Sequence, residues 1–136
     1  MSWQARLALG YRRESTRTLA SDRHEGPLRV LKALYPEGPG ICHHVLVHPP
    51  GGIAGGDRLD IDIMLEADAH ALLTTPGATR FYRSAGAHAH QSVRIGLQRG
   101  ARLEWLPMAT IAYDGCLAQN RVHFTLDDDA AIVGAD

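Results

Sequence analysis

Arg58-Leu59-Asp60-Ile61-Asp62-Ile63-Met64-Leu65 is the stretch that decides the fold class. Leu59, Ile61, Ile63 and Leu65 alternate with Arg58, Asp60, Asp62 and Met64. That is period two, the pattern of a strand with one buried face, because successive strand side chains point to opposite sides. Val93, Ile95 and Leu97 alternate with Arg94, Gly96 and Gln98 in the same way, and Val122, Phe124 and Leu126 repeat the pattern near the end. The shorter apolar runs Val45-Leu46-Val47 and Ala71-Leu72-Leu73-Thr74 read as strands buried on one or both faces.

Turn signals separate these runs: Pro36-Glu37-Gly38-Pro39-Gly40, Pro49-Pro50-Gly51-Gly52, Gly55-Gly56-Asp57 and Pro76-Gly77. Pro27 to Leu34 is the one stretch that allows a helical turn or two, on a poor amphipathic pattern. The expectation is an all-β fold of roughly eight to ten short strands, at typical strand lengths, with at most one or two short helices. Residues 1–136 read as a single region with no internal repeat. Asp127-Asp128-Asp129 reads as a solvated turn, and Ala131-Ile132-Val133-Gly134 as a strand whose outer edge is unpaired.

Composition removes several functions. The chain has 136 residues, 45% of them hydrophobic, and a net charge of −1. A nucleic-acid partner calls for a basic surplus that is not there. No apolar run approaches the roughly 18 residues of a membrane span, and Met1 to Arg6 has no signal-peptide pattern. Two cysteines, Cys42 and Cys116, make no disulfide framework, so the expected setting is the reducing cytoplasm.

Eight histidines raise the question of metal. In Cys42-His43-His44 the strand alternation lets only Cys42 and His44 share a site. His88-Ala89-His90 has cupin-like H-x-H spacing, although no acidic third ligand follows within Ser92 to Ile95. Those two histidines support the alternative reading of a small β-barrel metalloenzyme; the opposing reading is ordinary surface histidine. No nucleophile elbow surrounds Ser84 or Ser92, and Asp60 and Asp62 fit an exposed strand face better than an acid–base pair. The double Gly-Gly of Pro50 to Asp57 does not match a phosphate loop. Asp57 is open to two readings there: a turn-forming residue, or a carboxylate presented by a rigid loop to a metal. Arg80-Phe81-Tyr82-Arg83 has the Arg and aromatic composition of a protein interface; the competing reading is a core Phe81 between solvated arginines.

Several of these segments occur together in one family. Arg23-His24-Glu25-Gly26-Pro27-Leu28-Arg29-Val30, Leu34-Tyr35-Pro36-Glu37-Gly38, His48-Pro49-Pro50-Gly51-Gly52 with Gly55-Gly56-Asp57, Thr74 to Ser84, and Leu103-Glu104-Trp105-Leu106-Pro107 resemble the UreD (UreH) urease accessory proteins in order and spacing. The resemblance covers the chain and corresponds to the family's N-terminal half, so the expected fold is a truncated one, and a non-functional fragment is a further alternative reading. It implies an extended multi-strand β fold and a non-enzymatic scaffold that binds urease apoprotein and recruits UreF and UreG for nickel insertion. It implies no tightly bound cofactor, with nickel only in transit, and places Asp57, and less firmly Thr79, along a water-filled nickel path. Weakly binding, scattered oxygen ligands suit transit better than a closed Cys/His cage. Pro107-Met108-Ala109-Thr110 departs from the family pattern, which follows Leu-Pro with Gln and an acidic residue.

Overall fold

Leu59, Ile61, Ile63 and Leu65 all point into the protein, and the residues between them face outward. The computed structural model describes residues 4–47, 52–76, 79–108 and 110–134, and every regular element among them is a strand. The chain begins with an antiparallel hairpin, β1 (Gln4–Glu14) and β2 (Arg17–Glu25), followed by the short β3 (Arg29–Val30). It then winds. β4 (Ile41–Val47), β5 (Gly52–Ile53) and β6 (Arg58–Leu65) form one coil. β7 (His70–Thr74), β8 (Thr79–Phe81) and β9 (Ala89–Leu97) form the next. β10 (Arg102–Leu106), β11 (Thr110–Ala112) and β12 (Ala118–Leu126) form a third, and β13 (Ala131–Gly134) starts a fourth.

Each strand stacks in parallel on its counterpart in the adjoining coil, at about 30 residues per coil, within the range of solenoid repeats. Three sheets result, ordered β12-β9-β6-β1-β2, β13-β10-β7-β4-β3 and β11-β8-β5. The architecture is a parallel β-solenoid whose first turn is closed off by the antiparallel β2 and β3.

In-register stacking explains why period two is so clear. It lines up like side chains in columns: Leu7-Ile61-Val93-Val122, Leu9-Ile63-Ile95-Phe124 and Tyr11-Leu65-Leu97-Leu126 on the first sheet. On the second sheet Cys42-Ala71-Leu103-Ile132 and His44-Leu73-Trp105-Gly134 do the same, and Ile53-Phe81-Ala112 on the third. Each fully buried aliphatic of these columns contributes on the order of 1.5–3 kcal/mol through removal from water.

Three expectations change. The chain does contain a repeat, carried by one corner of the coil. Leu65-Glu66-Ala67-Asp68-Ala69, Leu97-Gln98-Arg99-Gly100-Ala101 and Leu126-Asp127-Asp128-Asp129-Ala130 make the same turn. In each, the fourth residue takes positive φ (62°, 72° and 60°), and the final Ala N–H donates to the carbonyl three residues back. Few identities recur and the coils differ in length, which hides the period. Pro27 to Leu34 is not helical: Arg29 and Val30 pair with Val47 and Leu46, and Leu34 bridges to His43. Thirteen strands occur among the described residues, because strands as short as β5, β8 and β11 leave no alternation to read.

Candidate functional site

Asp57 is buried at 1% exposure on the corner that leads into β6. The Ala54 N–H donates to Asp57 Oδ2 at 2.9 Å, and the Asp57 N–H donates back to the Ala54 carbonyl at 3.0 Å. The side chain therefore closes its own turn, as Asp commonly does. The two glycines before it allow the next coil to approach: a Cβ on Gly55 would stand 2.7 Å from the Ala87 carbonyl oxygen and against Ser84 Oγ, and Gly56 takes φ +88°. Gly56 N–H reaches the His88 carbonyl and His90 N–H the Asp57 carbonyl, so this corner is tied to the start of β9. His48, Pro49, Pro50 and Gly51 lie outside the described residues, as do Gly77, Ala78 and Ala109.

A cavity of about 280 Å3 lies within the coils, bounded by Leu46, Ile53, Ile61 and Val93 on its apolar side. Thr79 lines it, with Thr75, Thr110, Gln91 and Asn120, and Trp105 and Arg80 complete its polar part. Asp57 is not among the lining residues, so the two path residues implied by the resemblance do not share this cavity. Among the described residues that line it there is no carboxylate, imidazole or thiol, and the one charged group is Arg80. A site of hydroxyls and amides can pass water or a hydrated ion but offers no strong ligand to hold a metal. Gln91 and Asn120 form an inward amide pair, with Gln91 Nε2 donating to Asn120 Oδ1 at 3.3 Å. Sequence reasoning missed this pair; the signal was Gln91 standing where the alternation of β9 calls for an apolar residue.

Cys42 and His44 both turn inward from β4, as the alternation requires, and both are buried. Tyr11 Oη and His44 Nδ1 share a hydrogen bond of 2.6 Å. Burial pushes the Tyr11 phenol far above its ordinary range, helped by Cys42, Asp22 and Tyr35. Burial also raises the Cys42 thiol, against a hydrogen bond with Tyr35, so Cys42 is held as a thiol and not as the thiolate that binds metal. Burial lowers the His44 pKa, partly opposed by the Asp22 carboxylate. His44 is therefore neutral in the fold while an unfolded histidine protonates near 6.5. The unfolded state binds the extra proton, so stability is present above about pH 6.5 and is lost as pH falls toward the folded pKa. Urea midpoints should drop across that window, and His44→Gln should flatten the drop. An equally steep drop in the variant would assign it to other groups.

Phe81 belongs to the core at 2% exposure, because it takes the inward position of β8 next to Ile53. The patch expected from Arg80-Phe81-Tyr82-Arg83 is thus reduced to Arg80, Tyr82 and Arg83, all exposed. Tyr82 lies over Gly52, where any Cβ would meet its ring, and stacks on Tyr113 with centroids 5.7 Å apart. Ile111, beside Arg80 in the β8–β11 ladder, is also exposed.

His88 is exposed and His90 half-buried, with ring centroids 6.3 Å apart. Among the described residues no three His, Cys, Asp or Glu side chains converge to hold a metal ion. The carboxylate–imidazole contacts among the described residues are pairwise and partly exposed: His70 Nε2 with Glu104 at 3.0 Å, His43 Nε2 with Glu37 at 2.6 Å, and His24 Nδ1 with Asp22 at 3.8 Å.

The sequence matches the family described as UreD urease accessory protein over residues 4–136. It is 60% identical over 138 residues to "Urease accessory protein UreD" of Leptothrix cholodnii, covering all of this chain and 50% of that relative. It is 57% identical over 136 residues to the proteins of the same name from Polaromonas naphthalenivorans and Variovorax paradoxus, covering 49% of each. The chain therefore spans about half the length of the curated relatives it matches. The match runs through the Gly-Gly-Asp corner, the cavity and the coils that position them, and on that evidence the chain belongs to the UreD urease accessory protein family.

Proposed function

We propose that this chain serves urease maturation as a non-catalytic scaffold in the cytoplasm, binding urease apoprotein and recruiting UreF and UreG while nickel passes to the urease active site. Family membership over residues 4–136 is the observation that carries this reading. The interior supports it by chemistry. A cavity lined with hydroxyl, amide and indole groups suits passage, and the buried Asp57 supplies a carboxylate on a rigid corner next to the coils. The exposed Arg80, Tyr82 and Arg83, with Tyr113, have the composition that interfaces concentrate.

The test is a pull-down of the 136-residue chain with UreF and with urease apoprotein, after size exclusion establishes a monodisperse species. Capture of either partner is the expected result. A monodisperse chain that captures neither would overturn the scaffold reading for these residues. If the chain aggregates, the same pull-down uses a fusion of this chain to the unmatched half of the Leptothrix cholodnii relative.

A further inference from the structure

Trp105 is buried at 5% exposure on the inward face of β10, in the column His44-Leu73-Trp105-Gly134. Its indole Nε1–H has no hydrogen-bond acceptor, and no other buried side-chain nitrogen or oxygen among the described residues is in that state. An indole N–H can only donate, and a buried donor left unpaired is costly, so protein, water or a ligand normally satisfies it. Trp105 lines the cavity of about 280 Å3. That volume is several times the roughly 30 Å3 that one water molecule takes in the liquid.

Each of the three sheets brings a donor to this cavity. The second brings the Trp105 indole, and the third brings the hydroxyls of Thr79 and Thr110, register partners in the β8–β11 ladder. The first brings Asn120, whose Oδ1 accepts from Gln91 Nε2, which leaves its own NH2 group to donate elsewhere. Arg80, exposed and next to Thr79 on β8, carries the one charge on the described lining and makes no ion pair among the described residues. No described carboxylate borders the cavity to repel an anion or to neutralise a cation. The apolar wall of Leu46, Ile53, Ile61 and Val93 lowers the local dielectric, which strengthens hydrogen bonds to an ionised acceptor. Donors arriving from three sheets suit a ligand with several acceptor oxygens better than a halide, which accepts at one point.

We propose that the cavity binds a small monovalent oxyanion, a carboxylate or bicarbonate, with one oxygen accepting from Trp105 Nε1–H and Arg80 supplying the countercharge. This goes beyond the maturation reading and does not require nickel to enter the cavity.

The experiment follows the indole N–H resonance of Trp105 in the 15N-labelled chain. Trp3, the only other tryptophan, is replaced by Trp3→Phe so that a single indole signal remains. Sodium formate and sodium bicarbonate are titrated separately at fixed pH, with sodium chloride keeping the ionic strength constant. The expected result is a saturable downfield shift with at least one of the two, and the tighter binder tells a carboxylate source from an inorganic one. Arg80→Gln should weaken that binding at least threefold; Arg80 is exposed, so the variant keeps its core. Trp105→Phe, which keeps an aromatic ring but loses the donor, should abolish the rise in melting temperature that the anion gives. No saturable shift, an equal shift with chloride alone, or binding unchanged by Arg80→Gln would overturn the proposal. An indole signal that stands at a hydrogen-bonded position and moves with neither anion would make water the occupant, and would overturn it too. The titration contains no nickel, so its failure leaves the maturation reading as it stands.

Discussion

Asp57→Asn, in a fusion of this chain to the unmatched half of a relative, should lower the nickel content of co-expressed urease by roughly tenfold or more, as loss of a metal-directed carboxylate or its support does elsewhere. Capture of UreF and urease apoprotein should be unchanged. The choice of Asn follows from the structure. Asp57 Oδ2 accepts the Ala54 N–H, so Asp57→Ala would also leave a buried donor without that acceptor, a loss of about 1–3 kcal/mol. Asparagine keeps an acceptor oxygen for the turn and removes the charge. Normal nickel content in the Asn variant, with a deficit only in the Ala variant, would reduce Asp57 to a turn-forming residue.

Leu65→Ala should destabilise the chain by about 2–5 kcal/mol, the range for emptying a closed core position. Leu65 is fully buried in the column Tyr11-Leu65-Leu97-Leu126, so its removal leaves a void that neighbouring coils cannot fill without shifting. Leu126→Ala, the same chemistry in the same column, should stay below about 1 kcal/mol, because Leu126 already faces water on one side. Against a typical total of roughly 5–15 kcal/mol, the first change removes much of the stability and the second little. Urea midpoints of the two variants measured together decide it; equal losses would mean that Leu126 is covered in solution.

The inward sets of β6 and β9 were legible because half-buried strands reveal themselves by alternation, and the family was legible from its glycine-rich corners. The winding was not. Period two states which face is buried but not which strand lies alongside, and a parallel neighbour about 30 residues away leaves no local mark. The third sheet was invisible for a different reason: β5, β8 and β11 are held by backbone pairing and by the sheets on either side, too briefly for any pattern. At the site, alternation correctly put Cys42 and His44 on one face, but the residue that occupies His44 comes from β1, Tyr11. Phe81 was ambiguous until β8 fixed its direction. Asp57 carries both of its readings into the structure, since the corner that buries it also uses it.

The three equivalent corners at residues 66–69, 98–101 and 127–130 are bonded to one another: Asp68 N–H to the Arg99 carbonyl, Gly100 N–H to the Asp128 carbonyl. The connections between the third sheet and the first, residues 54–57, 82–88 and 113–117, differ in length, yet they too are bonded coil to coil: Gly56 N–H to the His88 carbonyl, Ser84 N–H to the Gly115 carbonyl. One seam thus repeats a single turn at constant length, while the other holds the same coils together through turns of different length. The seam of varying length carries the exposed Tyr82, Arg83 and Tyr113 and the buried Asp57, so the variation in turn length falls where the chain places its aromatics and its buried carboxylate, while the opposite seam keeps the coils in step.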